Sequence, residues 1–330
     1  METGRATAIA HPIQGLVKYH GLRDFERRVP YHSSISVCTA PTHTKTTVTV
    51  LDGGTEDEAV INETPVKGRP LERIRTILDE VRRQSGDHRA ARVVSTNDFP
   101  ERIGLGSSAS GFAALAKAAV AAYGLGLDAP RISAIARLGA GSAARSVTGW
   151  FSEWSPPPRG RPAAESMSKK LLGAEKIDLR IVVPVIRSDE PTEGVHREVL
   201  SSPFFDARLK YVEDALVRMR VAVTTGDIRE IGLVAERDTL NLHAITMTSD
   251  AMRLTWRPET IRVMHEVRRL RKEEELGCWF SIDTGATPYV NIVPEHEERV
   301  VAAMAGLPGI DEVLRLSVGR DAHLVDAHLD

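Results

Sequence analysis

Glycines mixed with small hydroxyl residues suit a place where backbone N–H groups must approach a phosphate, and residues 104–110 have that composition. Gly104, Gly106, Ser107, Ser108 and Ser110 fall within seven positions, shortly after Asn97 and Pro100. A strand-like run at 91–95 precedes them, and an alanine-rich apolar run to Tyr123, free of proline, follows. Strand, Gly/Ser turn and helix in that order build an anion site, because free N–H groups at the helix start point along the positive end of its dipole. The segment has no lysine where a Walker-type loop requires one. The same composition suits a turn that merely caps a core helix, and the residues alone leave both readings open. A second glycine-and-serine helix start spans 139–146, and its Ser142 and Arg145 share a face if helical. Lys18, Tyr19 and His20 cluster before Gly21, and Asp283 sits where an apolar run turns at Thr284-Gly285. Singly, Lys18 and Arg145 read as solvated charges, Asp283 as a turn residue and His243 as a structural histidine.

The elements that must position these groups follow from periodicity. Residues 7–50 read as strands with tight connections: 30–39 alternates small polar with apolar side chains, and 46–51 is β-branched. Leu71, Ile74, Ile77, Leu78 and Val81 fall on one helical face, with Gly86 as a stop. Asp128 followed by Pro130 predicts a capped helix start. The proline-rich stretch 155–162 predicts an exposed loop. A buried strand at 179–185 marks the expected boundary between a unit of residues 1–182 and one of residues 183–330. Helices are expected at 206–224, 228–242, 258–276 and 295–304, and strands at 278–282 and 289–293.

Bulk properties restrict the class. The chain has 330 residues, 42% hydrophobic and 27% charged, with a formal net charge of −2, which speaks against a nucleic-acid or membrane-surface partner. Two cysteines make no disulfide framework or structural zinc site and predict a reducing compartment. With no apolar signal-peptide core and no run near ~20 apolar residues, a cytoplasmic protein is expected.

The longer pattern carries a resemblance. Pro100 through Gly104-Leu105-Gly106-Ser107-Ser108-Ala109 resembles the ATP-phosphate motif of the GHMP kinase superfamily. Its extension, from Asn97-Asp98-Phe99-Pro100 to Ser110-Gly111-Phe112-Ala113-Ala114-Leu115, is similar to the mevalonate diphosphate decarboxylase branch. Lys18-Tyr19-His20-Gly21-Leu22-Arg23-Asp24, Ser33-Ser34-Ile35-Ser36-Val37, the stretch 136–146 and Ile282-Asp283-Thr284-Gly285 resemble four further motifs of that branch, in order. The resemblance implies an α+β fold, the two-domain GHMP arrangement, with a ribosomal-S5-like N-terminal part and a ferredoxin-like C-terminal part. It implies ATP and Mg²⁺ as cofactors, a phosphorylated mevalonate as small-molecule substrate, and a homodimer.

The implied chemistry phosphorylates a tertiary alcohol, then expels that phosphate as CO2 leaves. Asp283 would position or deprotonate the alcohol, Lys18 would stabilise developing charge, and Arg145 would grip the carboxylate. Asn97, Gly104, Gly106, Ser107, Ser108 and Ser110 would hold the nucleotide, with Ser107 also the candidate at Mg²⁺. Tyr19, Leu22, Ser142 and Arg145 would face the substrate. Leu22 stands where the diphosphate enzymes carry a lysine, and Ala140 where they carry a serine. Both changes remove polar reach, so the resemblance favours the phosphomevalonate decarboxylases, which make isopentenyl phosphate. A diphosphomevalonate decarboxylase is the alternative reading. A mevalonate 3-kinase, a bisphosphomevalonate decarboxylase and a non-catalytic relative rank below both, because Asp283, Lys18 and Arg145 are all present.

Overall fold

The computed structural model describes residues 4–53, 56–99, 105–187 and 194–330. The early chain forms the strands β1 (Arg5–Ala10), β2 (Ile13–Val17), the short β3 (Leu22–Asp24) and β4 (Val29–Pro30), β5 (Ser34–Ala40), the threonine- and valine-rich β6 (Thr44–Val50), β7 (Glu58–Ile61) and β8 (Thr64–Pro65). After α1 (Arg69–Ser85) comes β9 (Ala91–Asn97), then α2 (Ser107–Ala122), α3 (Ala129–Gly139), α4 (Ala143–Thr148), β10 (Phe151–Trp154) and β11 (Ser168–Lys170). The rest comprises β12 (Arg180–Pro184), α5 (Val195–Glu198), α6 (Phe205–Thr225), α7 (Ile228–Met247), α8 (Pro258–Glu273), β13 (Cys278–Ile282), β14 (Pro288–Ile292), α9 (Glu297–Ala305), β15 (Val313–Val318) and β16 (His323–Val325).

Two sheets organise the α+β molecule. The first has the order β16-β1-β6-β9-β7-β8, the second β11-β10-β5-β15-β12-β14-β13, with β2 also pairing β5. Helices α1, α2 and α3 cover one face of the first sheet. Alanine makes this possible for α2: Ala109, Ala113, Ala114, Ala116, Ala118 and Ala119 are wholly buried, so the helix lies close to β1 and β6. The second sheet is apolar on both faces, with Val212, Met219, Ile231 and Val234 of α6 and α7 in one core and Val263, Val267 and Met304 of α8 and α9 in the other.

Strand pairing crosses residue 182: β12 itself spans it and pairs with β14 and β15. Ser317 and Val318 of β15 oppose Ala40 and Thr39 of β5, and β16 returns to β1. Most expected elements fall close to where periodicity put them, but the helix expected over 258–276 stops at Glu273 and the strand read over 30–39 begins only at Ser34. The helix expected over 228–242 continues to Met247, because Ile245 and Thr246 are also buried. Residues 155–162 are irregular, and 158–162 are exposed. No helix among the described residues is long and apolar enough to cross a membrane.

Candidate active site

Asp283 follows the last residue of β13, a fully buried strand. The strand delivers the carboxylate to the backbone of β2, where the Gly15 N–H donates to Oδ1 at 3.1 Å and Oδ2 at 3.2 Å. Only glycine fits there. A Cβ on Gly15 would lie 2.8 Å from Asp283 Oδ1 and 2.7 Å from Lys18 Cγ, both below contact distance. Gly15→Ala is therefore expected to push both side chains aside, with a loss of roughly 100-fold in kcat and a stability cost of about 1–3 kcal/mol. Turnover and thermal melting check this, and wild-type kcat in the variant would refute it.

Lys18 is buried at the end of β2. Its Nζ donates to Ser281 Oγ at 2.8 Å and Thr239 Oγ1 at 3.1 Å. Ser281 in turn donates to the Gly15 carbonyl at 3.0 Å, locking β13 against β2. Asp238 of α7 lies 3.7 Å from the ammonium and accepts the Lys18 backbone N–H at 2.9 Å. Burial pushes the Lys18 ammonium below the ordinary lysine value, opposed by the charges of Asp238 and Asp283. Burial raises Asp283 above the usual carboxylate value, opposed by Lys18, the Gly15 N–H and Arg145.

Arg145, on α4, is only 2% exposed. Its Nη1 donates to Ser34 Oγ of β5, while its Nε is buried without a partner. Its guanidinium carbon lies 5.2 Å from the centre of the Tyr19 ring and 5.9 Å from that of Trp154. Among the described residues no carboxylate pairs with it. Ser36, two positions along β5 from Ser34, is also buried with an unpartnered hydroxyl. Ser142 is half-buried next to Gly141, where an added Cβ would lie 2.6 Å from Tyr19 Oη. Leu22, by contrast, is not at a polar surface: it is 3% exposed and packs with Ala144 and Trp154.

The Gly/Ser loop arrives from the first sheet. Gly106 adopts φ +75°, a left-handed conformation that only glycine takes cheaply, and α2 starts at once with Ser107 and Ser108 exposed. A Cβ on Gly106 would lie 3.6 Å from the Ile13 carbonyl, two residues from Gly15, so the loop adjoins the Asp283 site. Ser110 is wholly buried instead: its hydroxyl meets Thr44 Oγ1 at 2.7 Å and the Ser107 carbonyl at 3.3 Å. Thr44 also donates to Asn97 Oδ1 at 2.7 Å, so Ser110 and Asn97 brace the loop from beneath. Gly104 and Pro100 lie outside the described residues. His243 is buried against Trp256, at 4.9 Å between ring centres, and burial lowers its pKa to about 4.

The structure thus gathers Asp283, Lys18, Arg145 and Tyr19, and adds residues that sequence reasoning passed over. Ser34 and Ser36 belong to a motif already noted and were legible as small polar residues alternating along a strand. Asp238, Thr239 and Arg208 had no such signal, being ordinary polar residues inside long helices.

Known proteins resemble this chain over most of its length. Residues 10–167 match the diphosphomevalonate decarboxylase-like N-terminal domain. The chain is 47% identical over 302 residues to the phosphomevalonate decarboxylase of Haloferax volcanii, covering 91% of this chain and 92% of that one. It superposes on mevalonate diphosphate decarboxylase from Staphylococcus aureus with a TM-score of 0.91 and 28% identity, covering 98% of each chain. A related structure, MDDEF in complex with MVAPP, AMPPCP and magnesium, gives a TM-score of 0.90 at 28% identity, over 98% of this chain and 99% of that one. The chain belongs to the diphosphomevalonate decarboxylase-like family and has the α+β fold of the GHMP superfamily.

Proposed function

We propose that this protein is the decarboxylase that converts mevalonate 5-phosphate and ATP to isopentenyl phosphate, ADP, phosphate and CO2. The observation that carries the choice of substrate is Leu22. A second phosphate brings further negative charge that needs cationic partners, and loss of one charge-assisted contact costs about 1.5–3 kcal/mol. Here the position holds an apolar side chain buried against Ala144 and Trp154, with no ammonium to offer. Similarity to the Haloferax volcanii phosphomevalonate decarboxylase supports the same reading.

In this reading Asp283 takes the proton of the tertiary hydroxyl. Its burial favours the neutral acid, which makes the carboxylate a stronger base, while Gly15 fixes its orientation. Lys18 stays charged beside it, held by Ser281 and Thr239, and stabilises negative charge that develops on oxygen. Arg145 pairs with the substrate carboxylate: it is a buried cation with no carboxylate partner among the described residues, which an arriving carboxylate would satisfy in a fork. Ser34 fixes its guanidinium plane, so the bond to CO2 is held in line with the leaving group. Tyr19 and Ser142 wall the substrate.

The Gly106 turn and the exposed Ser107 and Ser108 fit the phosphates of a nucleotide at the start of α2. Mg-ATP bound there supplies the phosphoryl group. Among the described residues no three His, Cys, Asp or Glu side chains are grouped to hold a metal ion. Phosphate oxygens would then provide most Mg²⁺ ligands, with Ser107 the side-chain candidate. The division into residues 1–182, carrying the nucleotide loop, and 183–330, carrying Asp283, belongs to this reading, as do a homodimer and a cytoplasmic setting.

Side-by-side turnover decides the substrate. Mevalonate 5-phosphate is expected to release CO2 and ADP together, with the diphosphate at least ~10-fold poorer in kcat/KM. Leu22→Lys is expected to narrow that gap. Comparable kcat/KM for the two substrates in the wild-type protein would overturn the monophosphate assignment.

A further inference from the structure

We propose that His243 is a positioning residue for Asp283, its ring N–H fastening the main chain of the turn at residues 283–285 once substrate is bound. The inference rests on the role given to Asp283 above and adds a second residue to it. Helix α7 lies along β13 in a defined register. Glu236 Oε2 accepts the Phe280 N–H at 3.3 Å, and one turn further on Thr239 Oγ1 accepts the Ile282 N–H at 3.1 Å. Glu236, Thr239 and His243 stand at i, i+3 and i+7, one face of the helix, and all three are buried. The next member of that row meets the next stretch of chain, which puts His243 beneath the Asp283 turn. The far end of the turn is held from α8, where Thr260 Oγ1 donates to the Ala286 carbonyl at 2.7 Å. His243 packs against Trp256, just before that helix, with 4.9 Å between ring centres, so it stands between the two helices that anchor the turn.

A histidine that served packing alone would have its polar atoms satisfied. His243 does not: it is 2% exposed, and neither ring nitrogen has a hydrogen-bond partner. Trp256 Nε1 and the neighbouring Thr255 Oγ1 are buried and unpartnered as well. Such atoms are costly, and a phenylalanine at 243 would fill the same space without that cost. Burial holds the ring neutral, with a pKa of about 4, so it offers one N–H and one lone pair. The charges of Lys18 and Arg208 also lower that pKa, while the main chain of Ile282 and Asp283 opposes the fall, as a carbonyl acceptor would. Hydrogen bonds around a catalytic group that are loose without substrate and tighten with it have this form.

His243→Phe keeps the shape of the ring against Trp256 and removes its N–H. It is expected to lower kcat by roughly 10- to 100-fold, with nucleotide affinity within about 3-fold of wild type, because about 1 Å of misplacement suffices for such a loss. Burial is the largest influence on the Asp283 pKa, so a turn freed toward water should carry the acid limb of kcat/KM down toward the ordinary carboxylate range. His243→Gln can still donate through its amide and should recover part of both effects. It carries the test if His243→Phe melts well below wild type. A kcat within about 2-fold of wild type in His243→Phe would overturn the inference. So would a lower kcat with an unmoved acid limb, since a residue that only supports the fold would not shift it. Asp283→Asn separates this from the parent reading. Full activity there removes Asp283 itself from the chemistry, whereas loss of activity there beside a normal His243→Phe refutes only the role of His243.

Discussion

Asp283→Asn is expected to lower kcat by roughly 10³-fold or more while nucleotide affinity stays within a few-fold of wild type. The amide keeps the size of the carboxylate, and its oxygen can still accept the Gly15 N–H, so the turn after β13 has no reason to move. What it cannot do is accept a proton from the substrate hydroxyl, a contribution of about 10²–10⁴-fold for a positioned base. Loss of the negative charge beside Lys18 adds to the effect, because that charge helps keep the buried ammonium protonated. The pH profile gives a second readout with a defined sign. Burial raises the Asp283 pKa, so wild-type kcat/KM should fall, as pH drops, at a pH above the ordinary carboxylate range. Burial lowers the Lys18 pKa, so the alkaline fall should come below the ordinary lysine range. The two limbs therefore move toward each other, and the acid limb should disappear from whatever activity Asp283→Asn retains. Steady-state rates and nucleotide binding check this. A variant within 10-fold of wild-type kcat would remove Asp283 from the chemistry.

The parts of the site that repeat along the chain were legible in the sequence; the parts assembled between distant segments were not. Ser107 and Ser108 were placed by a local pattern of strand, turn and helix, and the structure has them at the first turn of α2, exposed as a ligand site requires. Ser110 carried the same signal but a different position on the helix, three residues on, which turns its hydroxyl inward to Thr44. Composition could not distinguish an outward serine from an inward one without the first sheet behind it. Leu22 was legible as a missing charge, but its burial with Trp154 depends on a side chain 132 positions away in a sequence that gives no hint of the pairing. The fold was easier to read because amphipathic helices and β-branched strands announce themselves locally. The pairings of β15 and β16 did not, since their partners β5 and β1 lie near the start of the chain.

The largest expected effect on stability comes from Asp238, a residue with no sequence signal. It is fully buried on α7 and serves two buried cations at once: its Oδ1 lies 3.0 Å from Arg208 Nη1, and its Oδ2 lies 3.7 Å from Lys18 Nζ. The pair also grips the main chain. Oδ2 accepts the Lys18 backbone N–H at 2.9 Å, and Arg208 Nη2 donates to the Lys18 carbonyl at 2.7 Å, so both backbone groups of Lys18 are fixed from α6 and α7. Asn241 takes the other Arg208 nitrogen at 2.7 Å. Asp238→Asn would leave Lys18 and Arg208 buried without their shared carboxylate, and breaking such a pair from one side costs about 3–5 kcal/mol. For a chain of this size the melting temperature should fall by roughly 5–10 °C. Asp238 is also the largest influence that raises the Lys18 pKa, so its loss should lower that pKa further. Lys18 must be protonated to act, and the alkaline limb of the rate profile should therefore shift to lower pH, which a purely structural role would not cause. Adding Arg208→Met removes the second stranded cation. Part of the lost stability should return in the double variant, and the limb should move back only in part, since the Arg208 charge that also lowers the Lys18 pKa is gone while Lys18 still lacks its carboxylate. An unmoved alkaline limb in Asp238→Asn, whatever its melting temperature, would show that Asp238 supports the fold alone and does not set the charge on Lys18.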